Sequence, residues 1–258
     1  WKIEKDKTIG LFGRDNHTIL DLALLLENGT NNCDAFMGNT AVLRDTDELD
    51  DGVLGLFSTA GICPVGQAYR VVDEYINLAK RTLEGQDIGI NYNLDTSLGN
   101  FRFRYNATFT DTFEQVPTSN ISTIENAPAY GAIPAYVKLK GFGDLLGSEC
   151  NYDEKHSLTM SWRKGDWGAS ISGLKKGDFY QASLTLADGT KYIVPSMTTM
   201  DASLYYKFKV GDTSARVKFA VKNLNDERAP TADRFFGFFA DAHQDYGRNY
   251  YLSLKVDM

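Results

Sequence analysis

The chain has 258 residues, 43% of them hydrophobic and 12% aromatic, which is too rich in large rings for a disordered segment that avoids a packed core. Its formal net charge of −7 and isoelectric point near 5.0 exclude the basic footprint by which proteins neutralise phosphate backbones, so nucleic acid is not an expected partner. The longest clean aliphatic run, Leu22–Leu26, is far short of the roughly 20 apolar residues of a membrane-crossing helix. A transmembrane strand needs only about 9–11 residues and turns half of them away from lipid, and a mean hydropathy of −0.32 fits that case. The opening at Trp1, inside a strand-like pattern and without the regions of a signal peptide, reads as a fragment or a processed product.

Taken in order, eight strands are expected near 1–9, 72–94, 100–112, 155–163, 167–179, 192–209, 214–224 and 248–258. Between the first two, Asp15–Glu27 places Ile19, Leu20, Leu22, Leu24, Leu25 and Leu26 after a cap at Asp15 and reads as a loop helix. The acidic run Asp45–Gly52 fails calcium-loop spacing, because Leu49 occupies the fifth position and the glycine arrives late; a solvated loop is the better reading. Ile88, Ile90, Tyr92 and Leu94 then alternate with polar residues and face Phe101, Phe103, Tyr105, Ala107 and Phe109 across Asp95–Asn100. A second hairpin runs Leu158, Met160, Trp162, turns at Lys164–Asp166, and returns through Trp167, Ala169 and Ile171. A third sets Met200, Ala202, Leu204, Tyr206 and Phe208 against Val217, Phe219 and Val221. The last strand has Tyr250, Leu252, Leu254, Val256 and Met258 on one face and Tyr251, Ser253, Lys255 and Asp257 on the other.

The connections alternate in length. Those at 95–99, 164–166 and 210–213 are short, those at 10–71, 113–154 and 225–247 are long, and 180–191 is intermediate. Short turns at one end and long loops at the other mark an antiparallel transmembrane β-barrel of the Gram-negative outer membrane, with the turns periplasmic and the loops extracellular. A secreted β-sandwich binding module also alternates, yet has no reason to collect its long connections at one end. Trp162, Trp167, Tyr206, Phe208 and Tyr250 fall near the ends of the apolar faces, where a barrel places its aromatic girdles. In this reading the partner of Tyr250, Leu252, Leu254, Val256 and Met258 is outer-membrane lipid.

The final residues resemble the end of a TonB-dependent outer-membrane receptor. Val217–Asn225 is similar to the family's penultimate strand, and Asn223-Leu224-Asn225-Asp226 stands where an Asn-Leu-Phe-Asp-like segment is usual, with Asn225 replacing the aromatic. Gly247-Arg248-Asn249-Tyr250 resembles the Gly-Arg-x-Tyr opening of the closing strand, although the chain stops at Met258 where many members end in Phe. Glu84-Gly85-Gln86-Asp87, Val194-Pro195-Ser196 through Asp201-Ala202, and Trp1-Lys2-Ile3 resemble further segments of the family in the same order. The resemblance implies a 22-stranded, plugged barrel, of which this chain supplies the last eight or so strands; the plug domain and about fourteen strands then lie outside it. It also implies energised uptake of a scarce nutrient (siderophore, cobalamin, glycan or peptide), with the TonB complex acting through the plug.

No catalytic constellation or cofactor motif stands out, and His17, His156 and His243 lack a spacing that points to a shared metal or triad. The resemblance implies transport rather than catalysis. An oxidising outer-membrane setting allows Cys33 and Cys63 to pair within the first long loop, leaving Cys150 over. Tyr130, Tyr136 and Phe142 in the second long loop are candidate ligand contacts, with loop packing as the equal alternative. The acidic balance mildly disfavours a strongly anionic ligand. A passive porin or an adhesin-like barrel is the alternative within the membrane class.

Overall fold

The computed structural model describes residues 1–28, 38–45, 51–60, 64–117, 124 and 141–257. In chain order these form β1 (Lys2–Lys5), β2 (Thr8–Leu11), α1 (Arg14–Asn28), β3 (Val42–Arg44), α2 (Asp51–Ala60), β4 (Ala68–Val71), β5 (Tyr75–Leu78), β6 (Arg81–Thr96) and β7 (Gly99–Gln115). There follow β8 (Gly143–Asp144), β9 (Glu154–Lys164), β10 (Trp167–Lys176), β11 (Phe179–Thr185), β12 (Lys191–Val194), β13 (Met197–Val210), β14 (Thr213–Lys222) and β15 (Asn249–Asp257). Among the described residues strand predominates and helix is confined to α1 and α2, so the class is all-β, of the barrel type. The chain divides into two compact units. One takes Trp1–Ile3, Leu83–Phe113 and Leu146–Met258, the other Glu4–Thr82 and Glu114–Leu145.

The principal sheet runs in the order β1-β6-β7-β9-β10-β13-β14-β15, with β8 pairing β7 off this path. The eight strands of that path are the eight that period-two alternation predicts, and their pairs from β7 to β15 are antiparallel. Alternation rules out one-residue slips of the long strands, since each would move every side chain to the opposite face.

Four of the expected strands are nevertheless broken. The first is interrupted at Asp6 and Lys7, and its second part, β2, pairs with β5 in a separate ribbon. The 72–94 strand stops at Ala79 and Lys80, whose carbonyls accept from the buried Gln115 amide at 3.1 and 3.4 Å. The 167–179 strand ends before Gly177, where a Cβ would stand 3.0 Å from the Glu154 carbonyl oxygen. In the 192–209 strand Pro195 has no N–H to give to a ladder, and β12 closes instead with β11 as a hairpin. Residues 180–191, expected as a connection, are therefore largely strand.

In the second unit α1 packs Leu20, with Ile19 and Leu24 alongside, against Phe12, Leu78, Ile124 and Phe142. The helix begins at Arg14, so Asp15 lies in its first turn and not at the cap. Gly13, at φ 97°, makes the entry, and its N–H donates to Asp73 at 3.2 Å. The buried Asp21 carboxylate pairs with Arg44 and accepts from the Asn39 N–H at 2.9 Å, which ties the helix to β3. α2 starts at the end of the acidic run, and residues 46–50 of that run lie outside the described residues.

Candidate membrane wall and its loop platform

Register aligns the apolar positions of β7, β9, β10, β13, β14 and β15 into continuous cross-strand rows. Phe101, Trp162, Ala169, Leu204, Phe219 and Leu252 form one row; Phe103, Met160, Ile171, Ala202, Val221 and Tyr250 form the next toward the long loops. Toward the short turns lie Trp167, Tyr206, Val217 and Leu254, then Phe208, Ala215 and Val256. These rings and aliphatic chains are turned outward: Leu204 is 44%, Phe219 47% and Leu252 77% exposed. On β6 the same face carries Ile88, Ile90, Tyr92 and Leu94, all exposed.

The face ends in polar groups where the strands approach the long loops. Tyr105 Oη and His156 Nδ1 are 2.8 Å apart, His156 Nε2 lies 3.1 Å from Glu154, and Glu154 in turn holds Lys175. From Phe101 to Phe109 the apolar positions of β7 therefore span about 27 Å of strand at ~3.4 Å per residue, or about 21 Å along the normal of a barrel whose strands tilt by roughly 40°. At the short-turn end the Trp162 indole N–H donates to the Leu98 carbonyl at 2.8 Å, the Trp167 and Tyr206 rings meet at 4.6 Å, and Tyr206 stacks with Phe208 at 6.2 Å. Tyr250 lies toward the other end, stacked on Phe219 at 6.3 Å. The expected closing-strand residues Tyr250, Leu252, Leu254 and Val256 share this exposed face, and Met258 lies outside the described residues.

The opposite face of the same strands is polar. Arg102 and Arg104 donate to Asn93 and Asn91 at 3.1 and 3.2 Å, and the Ser170 and Ser203 hydroxyls are 2.9 Å apart. Gly168 belongs to this face, and the Tyr205 ring fills the space where its Cβ would be, at 2.3 Å. A larger residue there would have to displace the Tyr205 ring.

Residues 223–248 are organised by side-chain amides and carboxylates. Asn225 replaces an aromatic in the resemblance noted above, and the structure shows what it does: its oxygen accepts from the Met200 N–H at 2.9 Å and its NH2 donates to the Thr198 carbonyl at 2.8 Å, so it continues the β13 edge as a strand would. Asn223, at φ 52°, exchanges two bonds with the backbone of Glu227. Arg228 grips Asp245 at 2.7 and 2.6 Å, and that ion pair, with the Ala229 N–H, holds the Asp245 carboxyl down to about 2. Above β11 and β12, Phe179, Val194, Ala232, Phe239 and Ala242 pack into a core with Cys150, Tyr152 and Tyr192 at its margin. His243 stacks on Phe179 at 5.9 Å with both ring nitrogens buried and unbonded, and burial, followed by the Lys176 charge, lowers its pKa. Burial likewise pushes the Tyr152 hydroxyl up to about 12, and raises the Cys150 thiol with help from Asp241 and Glu149.

Of the candidate ligand contacts, Phe142 is packed against Phe12 at 5.8 Å, so its ring is engaged by the loop core. Tyr130 and Tyr136 lie outside the described residues, as do Cys33 and Cys63 of the expected disulfide. Among the described residues no group of three or more His, Cys, Asp or Glu is placed to hold a metal ion. The cross-strand register of the polar face is what sequence reasoning left unread, because alternation tells which residues share a face but not which stand opposite one another.

No family model matches the chain, and no curated protein matches it. Among solved structures it is similar to a mutant of the ferric enterobactin receptor of Pseudomonas aeruginosa, with a TM-score of 0.44 and 14% identity over 72% of this chain. The chain spans 23% of that receptor's length, and the likeness is a distant structural one.

Proposed function

We propose that this chain is part of the wall and loop platform of an outer-membrane β-barrel that takes up a scarce nutrient with energy from the TonB system. The observation that supports it is the apolar face: in-register rows of Phe, Trp, Leu, Val and Tyr stand exposed across six neighbouring strands, with hydroxyls, amides and charges on the reverse. Soluble monomers rarely expose contiguous apolar patches beyond about 300–600 Å², whereas lipid is the natural neighbour of such a face and water that of its reverse. A β-sandwich would bury this face on a second sheet.

In lipid every strand edge must be paired. Strand β1 and strand β15 are the two edges of the principal sheet, and in this reading they are where the rest of a closed, roughly 22-stranded barrel joins. A plug inside that barrel would receive the TonB pull, and the platform of residues 223–248 with the β11–β12 hairpin would meet the ligand from outside. The test is extraction of the full-length protein from membranes and its mobility on a gel before and after heating. Recovery only with detergent and a heat-dependent shift are expected; a soluble, monomeric protein that needs no detergent overturns the reading.

A further inference from the structure

A cavity of about 300 Å³ lies between β10, β13 and residues 240–244 of the loop that precedes β15. Its floor belongs to the polar face of the sheet, where Leu174 stands opposite Thr199 and Lys176 opposite Met197. The neighbouring positions of that face carry Ser170, Ser172, Asp201 and Ser203, so Leu174 and Met197 are an apolar spot set into a polar surface. The roof is held in place. The Lys176 ammonium donates to the Ala242 carbonyl, Ala242 is packed in the core of Phe179 and Phe239, and the His243 N–H donates to the Phe239 carbonyl at 2.8 Å. His243 lies on the buried side of the cavity, 2% exposed and with neither ring nitrogen bonded, whereas Asp241 and Gln244 are exposed and lie on its open side.

Two opposite charges therefore line one small cavity without neutralising each other. Lys176 uses one of its three ammonium donors on Ala242, and among the described residues the Asp241 carboxylate has no hydrogen bond or ion pair. The Thr199 hydroxyl has no partner among them either. Pockets for small molecules combine an apolar lining with a few polar groups that fix orientation, and here those groups include one cation and one anion beside an apolar floor. We propose that the cavity binds a small zwitterion with an aliphatic body, an α-amino acid or a short peptide, with its carboxylate on Lys176, its ammonium on Asp241 and its side chain over Leu174 and Met197. The inference deepens the transport reading above, on which it rests, by naming the class of ligand captured at the long-loop end of the wall. A purely anionic or purely cationic ligand would set a like charge against Asp241 or Lys176, and a neutral sugar would gain nothing from the opposed signs.

The test is calorimetric titration of the full-length protein in detergent with leucine and with alanyl-leucine, each also in its N-acetylated form, which lacks the ammonium, and its C-amidated form, which lacks the carboxylate. Glucose is the neutral comparison. At least one of the two zwitterions is expected to bind, and the tighter of them tells amino acid from peptide. Removing either of its charges should weaken binding roughly tenfold or more, the effect of losing one charge-assisted hydrogen bond. Asp241→Asn alters one exposed carboxylate. It should weaken the zwitterion to the level of its acetylated form and leave the acetylated form unchanged, a selective loss that misfolding would not produce. Binding of neither zwitterion, binding that tolerates the loss of either charge, or an Asp241→Asn protein that binds as the parent does overturns the inference. So does glucose bound as tightly as the zwitterion. A zwitterion bound by a protein that needs no detergent keeps the site and overturns the transport reading, whereas a detergent-dependent, heat-modifiable protein that binds none overturns the site alone.

Discussion

Leu204 sits at the centre of the exposed apolar face, and replacing it with arginine separates a lipid-facing wall from a water-facing one. It stands between Ala169 and Phe219 in its row, and positions 200 and 208 on the same strand, Met200 and Phe208, lie toward the two margins of the face. Each margin is about 13 Å along the strand from Leu204 at ~3.3 Å per residue, or about 10 Å along the membrane normal at a tilt of roughly 40°. That depth is close to the bilayer midplane, where an outward arginine costs about 2–4 kcal/mol in a transmembrane barrel. Ser203→Arg, one residue away on the polar face, carries the same charge into water and should cost under about 1 kcal/mol. The assay is denaturant unfolding of the full-length protein in phospholipid vesicles, read by heat-dependent mobility. A fall in stability of about 2–4 kcal/mol for Leu204→Arg with little change for Ser203→Arg is expected. Equal effects, or a Leu204→Arg protein that is no less stable, would refute the assignment of this face to lipid.

Gly168→Ala should lower stability by about 1–3 kcal/mol through overpacking against Tyr205, and a smaller residue at 205 in the same background should recover most of the loss in the same unfolding assay. Asn225→Ala removes both bonds to the β13 edge at a cost of about 1 kcal/mol, with faster hydrogen exchange at the Met200 amide; Asn225→Asp, which keeps the acceptor but not the donor, should retain part of the protection. The pH response of the 223–248 platform follows from His243. Its folded pKa lies below the unfolded value of about 6.5, so the opened loop binds the proton more tightly. Packing is therefore complete above the unfolded pKa and weakens as pH falls below it. Asp245, held at about 2 in the folded chain, stays ionised through that range; protonating it in stronger acid breaks its pair with Arg228 and adds to the loss. Hydrogen exchange of the Ala242 and His243 amides, corrected for intrinsic rate, should show less protection at acid pH, and His243→Phe should abolish the difference.

The wall was legible in the sequence because alternation at period two is unambiguous once a strand runs for ten residues or so. Trp162, Trp167, Tyr206 and Phe208 occupy the margin that the turns define, and a pattern of short and long connections was enough to place that margin. The breaks in the strands were hidden because they depend on partners distant in sequence: Gln115 reaching back to Ala79 and Lys80, and Glu154 crowding Gly177. Pro195 was the one break announced locally. The alignment of Lys207, Arg216 and Lys255 is a similar case: each is unremarkable in the sequence, and only the ladder sets them abreast. Asn225 read as a departure from an aromatic position, and only its two backbone partners explain how an amide serves there.

The hairpin of β11 and β12 forms a ladder of its own, severed from β10 and β13 by Gly177-Asp178 and by Pro195-Ser196. Insertions or exchanges around Ala187-Asp188-Gly189 therefore leave the pairing of the wall untouched, since no hydrogen bond of the principal sheet passes through them. Sequence change in the hairpin is thus uncoupled from the pairing constraints that hold the strands of the principal sheet constant.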